Sequence, residues 1–432
     1  MMLRKRLQLA LVHLAVAMTL VPINSTLNRI MIKEMAISAT LVAILASLPY
    51  LFSPTQVLIG SYSDRHPLFG WRRTPYIALG LVLCVLGVVL SPLAVFLMPA
   101  NWWLGLFTSL LVFAAWGMGF NVASVAYLSL ASELSGEGGR SRTVSIMWFV
   151  MIAGIIVTAA SLSGMLAEYS HAALERAFLV IGAAALALGL LGLVRLEPRH
   201  ADPVGQAHQR ANWHVLLREV LGNPEARIFF IYLILMLAAI LGQDVLLEPF
   251  AGEAFDLPVQ ATTRITSIWG TCVLVMLVVA GMLEQRIGKR AVAQIGAAGA
   301  IGGFAVIAAS PMTGSVSVFY AGVVLLGLGT GLATVSNLSL MLDMTTARVG
   351  LFIGAWGVAD ALARLVGTVL AGAVRDVMAQ ISGDAVTGYV SVFIIQAGLL
   401  ALSWIILLRI DVGRFREQTL SIEERAALME EG

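Results

Sequence analysis

The sequence has little charge and almost no cysteine. Only 12% of its 432 residues are charged, while 59% are hydrophobic and the mean hydropathy is +0.90; a typical soluble domain has about 25% charged residues. The two cysteines, Cys84 and Cys272, lie in separate apolar runs, which argues against a disulfide framework and against redox chemistry. The composition indicates an integral membrane protein.

Net charge and histidine content are also low. The formal net charge is +2, which gives no indication of a nucleic-acid partner. Of six histidines, only His13 lies in the first part of an apolar run, and the others fall in predicted loops. An imidazole can ligate a metal, including the magnesium of a chlorin, but a lone histidine in a span is more often a hydrogen-bonded packing residue. No metal-binding cluster and no catalytic residue are predicted.

Long apolar runs divide the chain into membrane spans. A bilayer core takes about 20 apolar residues per helix, and by this measure the sequence predicts an all-α membrane protein with 12 transmembrane helices. No small-residue cleavage site follows the first run, so we interpret it as a retained span and not as a signal peptide. The predicted spans are 8–30, 39–61, 75–98, 104–132, 143–166, 172–195, 226–250, 262–283, 290–310, 317–342, 349–374 and 386–409.

Basic residues between the spans predict the orientation. With both termini on the cytoplasmic side, 21 of the 27 lysines and arginines lie in cytoplasmic segments and five in outer segments. This bias agrees with the rule that basic residues near span ends stay in the cytoplasm. The remaining one, Arg364, lies inside a span. We therefore predict a multi-pass protein with cytoplasmic N- and C-termini.

The longest polar connection separates six spans from six. We predict an N-terminal six-helix bundle over residues 1–196, a cytoplasmic linker over 197–225, a C-terminal six-helix bundle over 226–410 and a cytoplasmic tail over 411–432. The bundles are similar in sequence, because a shift of 210 residues places one set of small and apolar residues on another. These sets are Gly117, Gly119, Ala123, Val125, Leu128, Ser129 and Leu130, and Gly327, Gly329, Ala333, Val335, Leu338, Ser339 and Leu340.

Two charged loops occupy equivalent places in this duplication. The strings are GSYSDRHPLFGWRR, at 60–73, and GMLEQRIGKR, at 281–290. Both resemble the loop signature G-x-x-x-D-R-x-G-R-[RK] of the major facilitator superfamily, whose fold is two six-helix bundles related by a pseudo-two-fold axis along the membrane normal. The resemblance implies that these loops latch the cytoplasmic side shut. The gate residues that it implies are Gly60, Asp64, Arg65, Arg72, Arg73, Gly281, Glu284, Arg286 and Arg290.

The loops also depart from the signature. The first has three extra residues before Gly70, and the second has Gln285 where an acid is expected, with Glu284 one position earlier. In such a loop a carboxylate favours a helix N-terminus and an arginine forks onto carboxylates or carbonyls. The alternative is that the basic loops only set the topology, and the sequence leaves both explanations open.

The eleventh span contains an acid and a base. A charge near the middle of the bilayer costs about 2.5 to 3.5 kcal/mol on insertion scales, so such residues are candidates for function. Asp360 and Arg364 are four residues apart, so they share a helical face and can neutralise each other. The pair is consistent with a structural latch and with a substrate site.

The seventh span has a second polar group near its outer end. It comprises Gln243, Asp244 and Glu248, and the two acids, four residues apart, would repel unless another group offsets them. The first span ends at the same depth with three residues that can supply this offset if the two spans are neighbours: Asn24, Asn28 and Arg29. A substrate site and an outer-gate hydrogen-bond network both fit this group.

Four strings narrow the resemblance to one family. STLNRIMI, GWRRTPYIALG, QDVLLEPFAGEAF and IGAWGVADALARLVG resemble those of the PucC and LhaA group, also called the bacteriochlorophyll delivery family. The resemblance extends from the first span to the eleventh. It implies a protein of the inner membrane, cytoplasmic or photosynthetic, that supports assembly of light-harvesting antennae in phototrophic bacteria. It points to these polar residues: Asn24, Asn28, Arg29, Gln243, Asp244, Glu248, Asp360 and Arg364.

The same resemblance implies ligands and partners. The expected ligand is (bacterio)chlorophyll, with no covalently bound cofactor, and His13 is a further candidate for contact with it. The expected partners are antenna polypeptides, the machinery of pigment synthesis or insertion, and membrane lipid. An aromatic-rich cavity with few charges would suit a large, flat, apolar ligand.

Two other functions are consistent with the sequence. The first is secondary transport of a small solute, with protons coupled through Asp244, Glu248 or Asp360. The second is enzymatic, because family members have been labelled subunits of bacteriochlorophyll synthase. Prenyl transfer requires aspartate-rich motifs that hold magnesium diphosphate, and the sequence contains no DxxxD or DDxxD string. We therefore expect a protein that is not an enzyme.

Overall fold

A computed structural model gives the fold of most of the chain. The segments that it describes are residues 2–135, 139–199, 224–344 and 349–409. The predicted tail (411–432) lies outside these segments, as do residues 200–223 of the predicted linker. Within the described segments the backbone is helical, with short turns and one isolated β-bridge between Leu68 and Trp71.

The helices before the linker begin with a long composite span. An apolar helical segment from Leu3 to Glu34 starts as an α-helix and continues as two π-helical pieces. The elements are α1 (Met2–Met18), π1 (Pro22–Leu27), π2 (Ile30–Glu34), α2 (Ala39–Ala46), α3 (Leu48–Leu51), α4 (Thr55–Arg65), α5 (Thr74–Phe96), α6 (Trp102–Ser135), α7 (Arg140–Met165) and α8 (His171–Leu193).

Seven α-helices follow the linker within the described segments. Several extend beyond the predicted spans, because the helix continues past the apolar run into polar residues at either end. The elements are α9 (Pro224–Leu241), α10 (Leu247–Phe255), α11 (Val259–Ile287), α12 (Lys289–Thr313), α13 (Val316–Met344), α14 (Val349–Ser382) and α15 (Ala385–Leu407).

Ten helical segments in the described part of the chain are long and apolar enough to cross a membrane, so the chain is a multi-pass membrane protein. The other two predicted spans, 39–61 and 226–250, are not single helices. The first is divided into α2, α3 and α4, because Pro49 and Pro54 lack the amide hydrogen that a continuous helix needs. The second breaks at the turn 242–246, between α9 and α10.

The same packing order occurs before and after the linker. Helix α1 packs against α7 and α8, and α9 packs in the same way against α14 and α15. Helix α5 packs against α6 and α8, and α12 packs against α13 and α15. The segment α2 to α4 contacts α6, as α11 contacts α13. Each of these helix pairs therefore has a counterpart in the other half of the chain.

The closest helix crossings are also duplicated. A Cβ atom added to Gly80 in α5 would lie within 3.0 Å of the Ala123 backbone in α6. A Cβ atom added to Gly296 in α12 would lie equally close to the Ala333 backbone in α13. Ala123 and Ala333 are the residues that the 210-residue shift relates. Small residues allow this close approach, which is a common way to pack helices in a membrane.

Candidate functional site

Hydrogen bonds join the two halves of the chain at one end of the molecule. We call it the outer end, after the orientation that the sequence predicts; it contains the turns 35–38, 166–170 and 256–258. In the described part of the chain, the residues joined across the halves are Thr26 with Thr263, Arg29 with Leu257, Lys33 with Gly252 and Asp256, Asp376 with Ala39 and Thr40, Ser163 with Gln260, and Ile156 with Ser267. These bonds close the outer end.

Helices α7 and α11 separate toward the opposite end. A Cβ atom on Gly270 would lie 3.1 Å from Ile156, so the two helices touch there. Gly281, three turns further along the same face of α11, has no atom of the described segments within 4 Å of its Cβ position. Phe149, two turns from Ile156 on the same face of α7, is 53% exposed. The two halves therefore part below the outer end on this side.

Helices α2 and α14 separate in the same way on the other side. A Cβ atom on Gly372 would lie 2.7 Å from the carbonyl oxygen of Ala39 and 3.1 Å from Ala43, which is close contact. Gly357, about four turns earlier in α14, has no described atom within 4 Å of its Cβ position. A cleft therefore lies between the halves, closed at the outer end and open toward the end that the sequence predicts as cytoplasmic.

A break in the seventh span places two polar residues beside this cleft. Helix α9 ends at Leu241, and the turn that follows carries Gln243 and Asp244 before α10 begins. Gly242 lets this turn pack closely on α14, because a Cβ atom there would lie 2.9 Å from the carbonyl oxygen of Gly367. Non-helical backbone at membrane depth is tolerated where it is buried in protein or lines a cavity, and both conditions hold here.

Arg364 joins the two acids at this depth. Its Nε donates to Oδ2 of Asp360 at 3.0 Å, and its NH1 lies 3.8 Å from Oδ2 of Asp244. Its guanidinium carbon also lies 5.5 Å from the centre of the Tyr50 ring, within the range of a cation–π contact. The three charged side chains are 24 to 32% exposed. They face the cleft and one another, with one more negative charge than positive.

Gln243 completes this cluster. Its Nε2 donates to Oδ1 of Asp244 at 3.0 Å, and its side chain is 3% exposed. We name Tyr50, Gln243, Asp244, Asp360 and Arg364 the central cluster. The sequence pairs Asp360 with Arg364 through their spacing, and the structure contains that pair.

Glu248 and Asp244 have different hydrogen-bond partners, and the turn 242–246 interrupts the helix between them. Glu248 is 3% exposed, and its Oε1 accepts a hydrogen bond from Thr266 Oγ1 at 2.6 Å. Arg364 offsets the charge of Asp244, whereas Arg29, the cation that the sequence suggested, interacts electrostatically with Glu248.

Arg29 belongs to the closed outer end. Its NH1 bonds Glu34 at 2.6 Å and its NH2 bonds the carbonyl oxygen of Leu257 at 2.9 Å, while the side chain is 2% exposed. Lys33 makes a parallel link to the Gly252 carbonyl at 2.5 Å and to Asp256 at 2.7 Å. These two basic residues fasten the first span to the turn after α10.

Asn24 and Asn28 lie in and beside the π-helical part of the first span. Asn28 donates from Nδ2 to the carbonyl oxygen of Asn24 at 3.1 Å, and its own Oδ1 is buried without a hydrogen-bond partner among the described residues. Asn28 is fully buried. A π-helix has wider turns than an α-helix, with hydrogen bonds from residue i to i+5, and is often found at a functional site. Sequence patterns do not predict it, because its residue preferences resemble those of an α-helix.

His13 lies in α1, away from the central cluster, and its side chain packs against α6 and α7. Its Nε2 is 2.8 Å from Met151 Sδ, and its ring lies 5.2 Å from Tyr127 and 6.2 Å from Trp148. The side chain is 7% exposed, and Nδ1 is buried without a hydrogen-bond partner among the described residues. This environment is a packed aromatic one within the first half of the chain.

The first gate loop binds residues of its own half. Arg73 is 4% exposed and bonds Asp64, Glu133 Oε1 at 2.9 Å and Ser63 Oγ at 2.7 Å. Glu197 accepts hydrogen bonds from the amides of residues 72–74, which are at the start of α5. The carboxylate at this helix N-terminus is a favourable charge arrangement.

Other predicted residues of the first loop have lesser contacts. Gly60 is buried in α4, and its carbonyl oxygen accepts from Ser63 at 3.0 Å. Arg65 is exposed and Arg72 is half-buried. Gly70 has a φ of +80°, a backbone conformation that favours glycine.

The second gate loop also binds within its own half. Glu284 Oε2 accepts from Ser339 Oγ at 3.0 Å, and Arg290 donates to the carbonyl oxygens of Leu407, at 3.1 Å, and Leu408. Arg286 is exposed. Gly281 is exposed, and no described backbone lies within 4 Å of its Cβ position. The described bonds of both loops fasten helices within one half and do not join the halves.

Several residues of these networks were not predicted from sequence. Tyr50 and Thr266 carry no charge, and only their hydroxyl groups distinguish them from the apolar residues around them. Glu133 and Glu197 are 60 or more residues from the loop that they bind. Their partners follow from helix packing, which a local sequence pattern does not contain.

Known structures share this fold. A variant of the nucleoside transporter NupG superimposes with a TM-score of 0.73 at 16% identity, covering 94% of this chain and 99% of that one. A bacterial homologue of the human lysosomal transporter Spinster, inward-facing and unoccupied, gives a TM-score of 0.72 at 13% identity, covering 95% and 96%. The xylose transporter XylE from E. coli, in an inward open conformation, gives 0.67 at 15% identity, covering 95% and 96%. The fold is that of a major facilitator membrane protein.

Sequence comparison gives the family. The family model described as PUCC protein matches residues 26–415, so the chain belongs to this family. Protein PucC of Cereibacter sphaeroides is 32% identical over 421 residues, covering 94% of this chain and 92% of that protein. Protein PucC of Rhodobacter capsulatus is 32% identical over 423 residues, covering 92% and 90%. A Rhodobacter capsulatus protein named bacteriochlorophyll synthase 44.5 kDa chain is 28% identical over 398 residues, covering 90% and 91%.

Proposed function

We propose that the protein is a membrane-embedded (bacterio)chlorophyll-handling assembly factor that delivers pigment to light-harvesting antenna polypeptides. Membership of the PUCC family and the name of the synthase-chain relative support a role connected with this pigment. The observation that carries the proposal is the cleft between the halves, which is closed at the outer end and has few charged side chains. A flat, apolar macrocycle fits such a site better than a sugar or an inorganic ion does.

The cleft gives the protein a means of shielding pigment from water. The helices form two six-helix bundles related by a pseudo-two-fold axis, and the repeated packing order supports this arrangement. A pigment enters from the open end, and apolar side chains such as Phe149 contact the ring. Polar groups of the central cluster then meet the oxygens or the magnesium of the chlorin. Arg29 holds the halves together at the outer end, and Asn24, Asn28 and Glu248 are further candidates for contact with the pigment there.

The predicted topology defines where the partners meet the protein. The protein lies in the inner membrane, cytoplasmic or photosynthetic, with both termini, the linker and the two gate loops on the cytoplasmic side. The cleft then opens toward the cytoplasmic leaflet. Antenna polypeptides and the pigment-synthesis or insertion machinery contact it from that side and from within the membrane.

An absorption spectrum tests the proposal directly. The protein is expressed in a host that makes bacteriochlorophyll, purified in mild detergent, and scanned for chlorin bands. We expect chlorin to co-purify, and a host without the gene to assemble less antenna. A variant with two bulky side chains in the cleft, Gly281→Trp with Gly357→Trp, should lose the chlorin, because both positions are open in the structure. Absence of chlorin from the wild-type protein, together with normal antenna levels in the deletion strain, would refute the proposal.

Secondary transport of a small solute is the second candidate. The observation that favours it is the charged central cluster beside a broken helix, the kind of place where transporters bind solutes and coupling ions. Solute uptake into proteoliposomes that collapses with the proton gradient would establish it. The synthase function ranks third, because the aspartate-rich motifs of prenyl transfer are absent from the sequence.

A further inference from the structure

Asp244 and Asp360 share the single positive charge of Arg364, so the central cluster retains one net negative charge. Arg364 is 3.0 Å from Asp360 but 3.8 Å from Asp244, so the shorter and stronger ion pair is with Asp360. Salt-bridge energy falls with distance and is largest where the pair is also hydrogen-bonded. Gln243 donates one neutral hydrogen bond to Asp244 Oδ1. The side chain of Asp244 is 32% exposed, so part of its carboxylate is available to a ligand.

The broken helix adds to the negative potential at this position. Helix α9 runs from Pro224 to Leu241 and ends one turn before Asp244. The C-terminal end of a helix has a partial negative charge from its unpaired carbonyl groups. Broken membrane helices use such ends, with nearby carboxylates and carbonyls, to coordinate cations. The turn after α9 therefore combines two sources of negative potential.

Buried amide groups at the same break point to a ligand. Gln243 is 3% exposed and directs its side chain at Asp244, yet its Oε1 is buried without a hydrogen-bond partner among the described residues. Gln396, also 3% exposed, has neither amide atom paired within the described part, and its Nε2 lies 3.1 Å from a Cβ position on Gly242. Leaving a buried polar group unpaired costs about 1 to 3 kcal/mol, so two such amides indicate a site built for a polar occupant.

We propose that the turn 242–246 binds a hard cationic centre, with the carboxylate of Asp244 as its ligand and Gln243 holding that carboxylate in place. Hard cations prefer oxygen ligands such as carboxylate and amide oxygens. The magnesium of a chlorin and a free Mg²⁺ or Na⁺ share this chemistry. Binding of a chlorin's magnesium at this turn rests on the proposed function, whereas binding of a free Mg²⁺ or Na⁺ does not.

A comparison of two pigments tests the chlorin source. The full-length protein in detergent is titrated with bacteriochlorophyll a and with bacteriopheophytin a, which has the same macrocycle without magnesium. If the magnesium meets Asp244, the wild-type protein binds the magnesium form about tenfold more tightly, equivalent to about 1.4 kcal/mol. The Asp244→Asn variant then binds both pigments within about twofold of each other. Glu253→Gln removes the same charge from an exposed position of α10 and should leave the preference unchanged.

Thermal unfolding without pigment tests the free-ion source. The protein is heated in MgCl₂, NaCl or choline chloride at equal ionic strength. A free-ion site raises the Tm of the wild type in MgCl₂ or NaCl relative to choline chloride, and the Asp244→Asn variant loses this rise while Glu253→Gln keeps it. Either this result or the pigment preference supports the cation site and identifies its source.

The outcomes separate the two proposals. Equal binding of both pigments, with no ion-specific rise in Tm, overturns the cation site but leaves pigment handling intact. Failure of both pigments to bind overturns the proposed function. Thermal unfolding in the different salts then decides by itself whether the cation site exists. The comparison of pigments on the wild-type protein needs no variant, so misfolding of Asp244→Asn does not obscure the result.

Discussion

Arg364 donates a 3.0 Å hydrogen bond to Asp360 one turn away on α14. The ion pair is thus complete within a single helix, and the helix can move as a unit without breaking it. The partner across the gap, Asp244, is held at 3.8 Å. A cleft that opens and closes between α14 and the turn after α9 would change this second distance and not the first.

Removal of Arg364 should destabilise the protein. The Arg364→Ala variant leaves two carboxylates facing each other, and breaking a buried ion pair costs about 3 to 5 kcal/mol. Because these side chains are 24 to 32% exposed, we expect the lower end of that range. Thermal unfolding in detergent measures the change. Adding Asp360→Asn to Arg364→Ala should recover part of the loss; a double variant less stable than Arg364→Ala would contradict the pairing.

The Glu248→Gln substitution should weaken pigment association while the fold stays intact. The amide keeps the size of the carboxylate and an oxygen for the Thr266 hydroxyl. We expect pigment retained after purification to fall about two- to tenfold, corresponding to a net hydrogen-bond energy of about 0.5 to 1.5 kcal/mol. Pigment content per protein and antenna yield are the measurements, with Glu253→Gln as the control. Antenna assembly equal to the wild type would count against Glu248 as a pigment residue.

Replacing a glycine by alanine should destabilise the protein where two helices touch at that glycine, and should not destabilise it elsewhere. Gly296→Ala places a Cβ atom 2.5 Å from the amide nitrogen of Ala333, and backbone cannot move aside easily. We expect a clear loss of Tm and a cost of about 1 to 3 kcal/mol. Gly398→Ala is the control, because nothing lies within 4 Å of that position in α15. The control should be neutral or gain about 0.5 to 1 kcal/mol from helix propensity.

Cysteine cross-links should distinguish the closed end from the open one. In a background with Cys84 and Cys272 replaced by alanine, the pair Ala43→Cys and Gly372→Cys should oxidise readily, because the two Cβ positions are 3.1 Å apart. The pair Phe149→Cys and Gly281→Cys should remain reduced, because Gly281 has no neighbour within 4 Å. Gel mobility after mild oxidation measures both. Cross-linking of the second pair alone would show that the opposite end is the closed one.

Acid should weaken one contact of the outer end. The Lys33 ammonium hydrogen-bonds Asp256 and holds the pKa of that carboxyl below its ordinary value. A lowered pKa stabilises the folded state above the ordinary aspartate pKa, and this contribution is lost as the pH falls through the lowered value. After correction for the intrinsic pH dependence of exchange, the protection factors of the amides in residues 251–258 should therefore fall at acidic pH.

The Asp256→Asn variant provides the matching control. It should show faster exchange at neutral pH and a smaller response to acid. Because Asp256 is 97% exposed, high salt should reduce the wild-type effect. An identical acid response in the variant would assign the effect to other groups.

The membrane fold follows from the sequence because the bilayer constrains it strongly. Spans of about 20 apolar residues must be helical, since lipid offers no partners for backbone polar groups. The repeat relating Ala123 to Ala333 predicted the duplicated packing that the structure contains. The interrupted spans 39–61 and 226–250 were missed, because a count of apolar residues over about 20 positions does not register the prolines, glycine and polar residues at which the helices break.

The polar residues within the spans were also identifiable from sequence, but their partners were not. The pairing of Asp360 with Arg364 follows from helical spacing alone. Asp244 and Glu248 have the same spacing, yet the turn between them directs one to Arg364 and the other to Thr266. Local spacing predicts contacts only while the helix is continuous.

The sequence by itself determined the membrane environment, the duplication, the family and the set of ionisable residues inside the spans, because each depends on composition or on local repeats. The tertiary structure decided which of those residues meet, which end of the molecule is closed, and that the gate loops bind within their own halves. These properties depend on the separation of α7 from α11 and of α2 from α14, which is set by contacts between residues more than 100 positions apart.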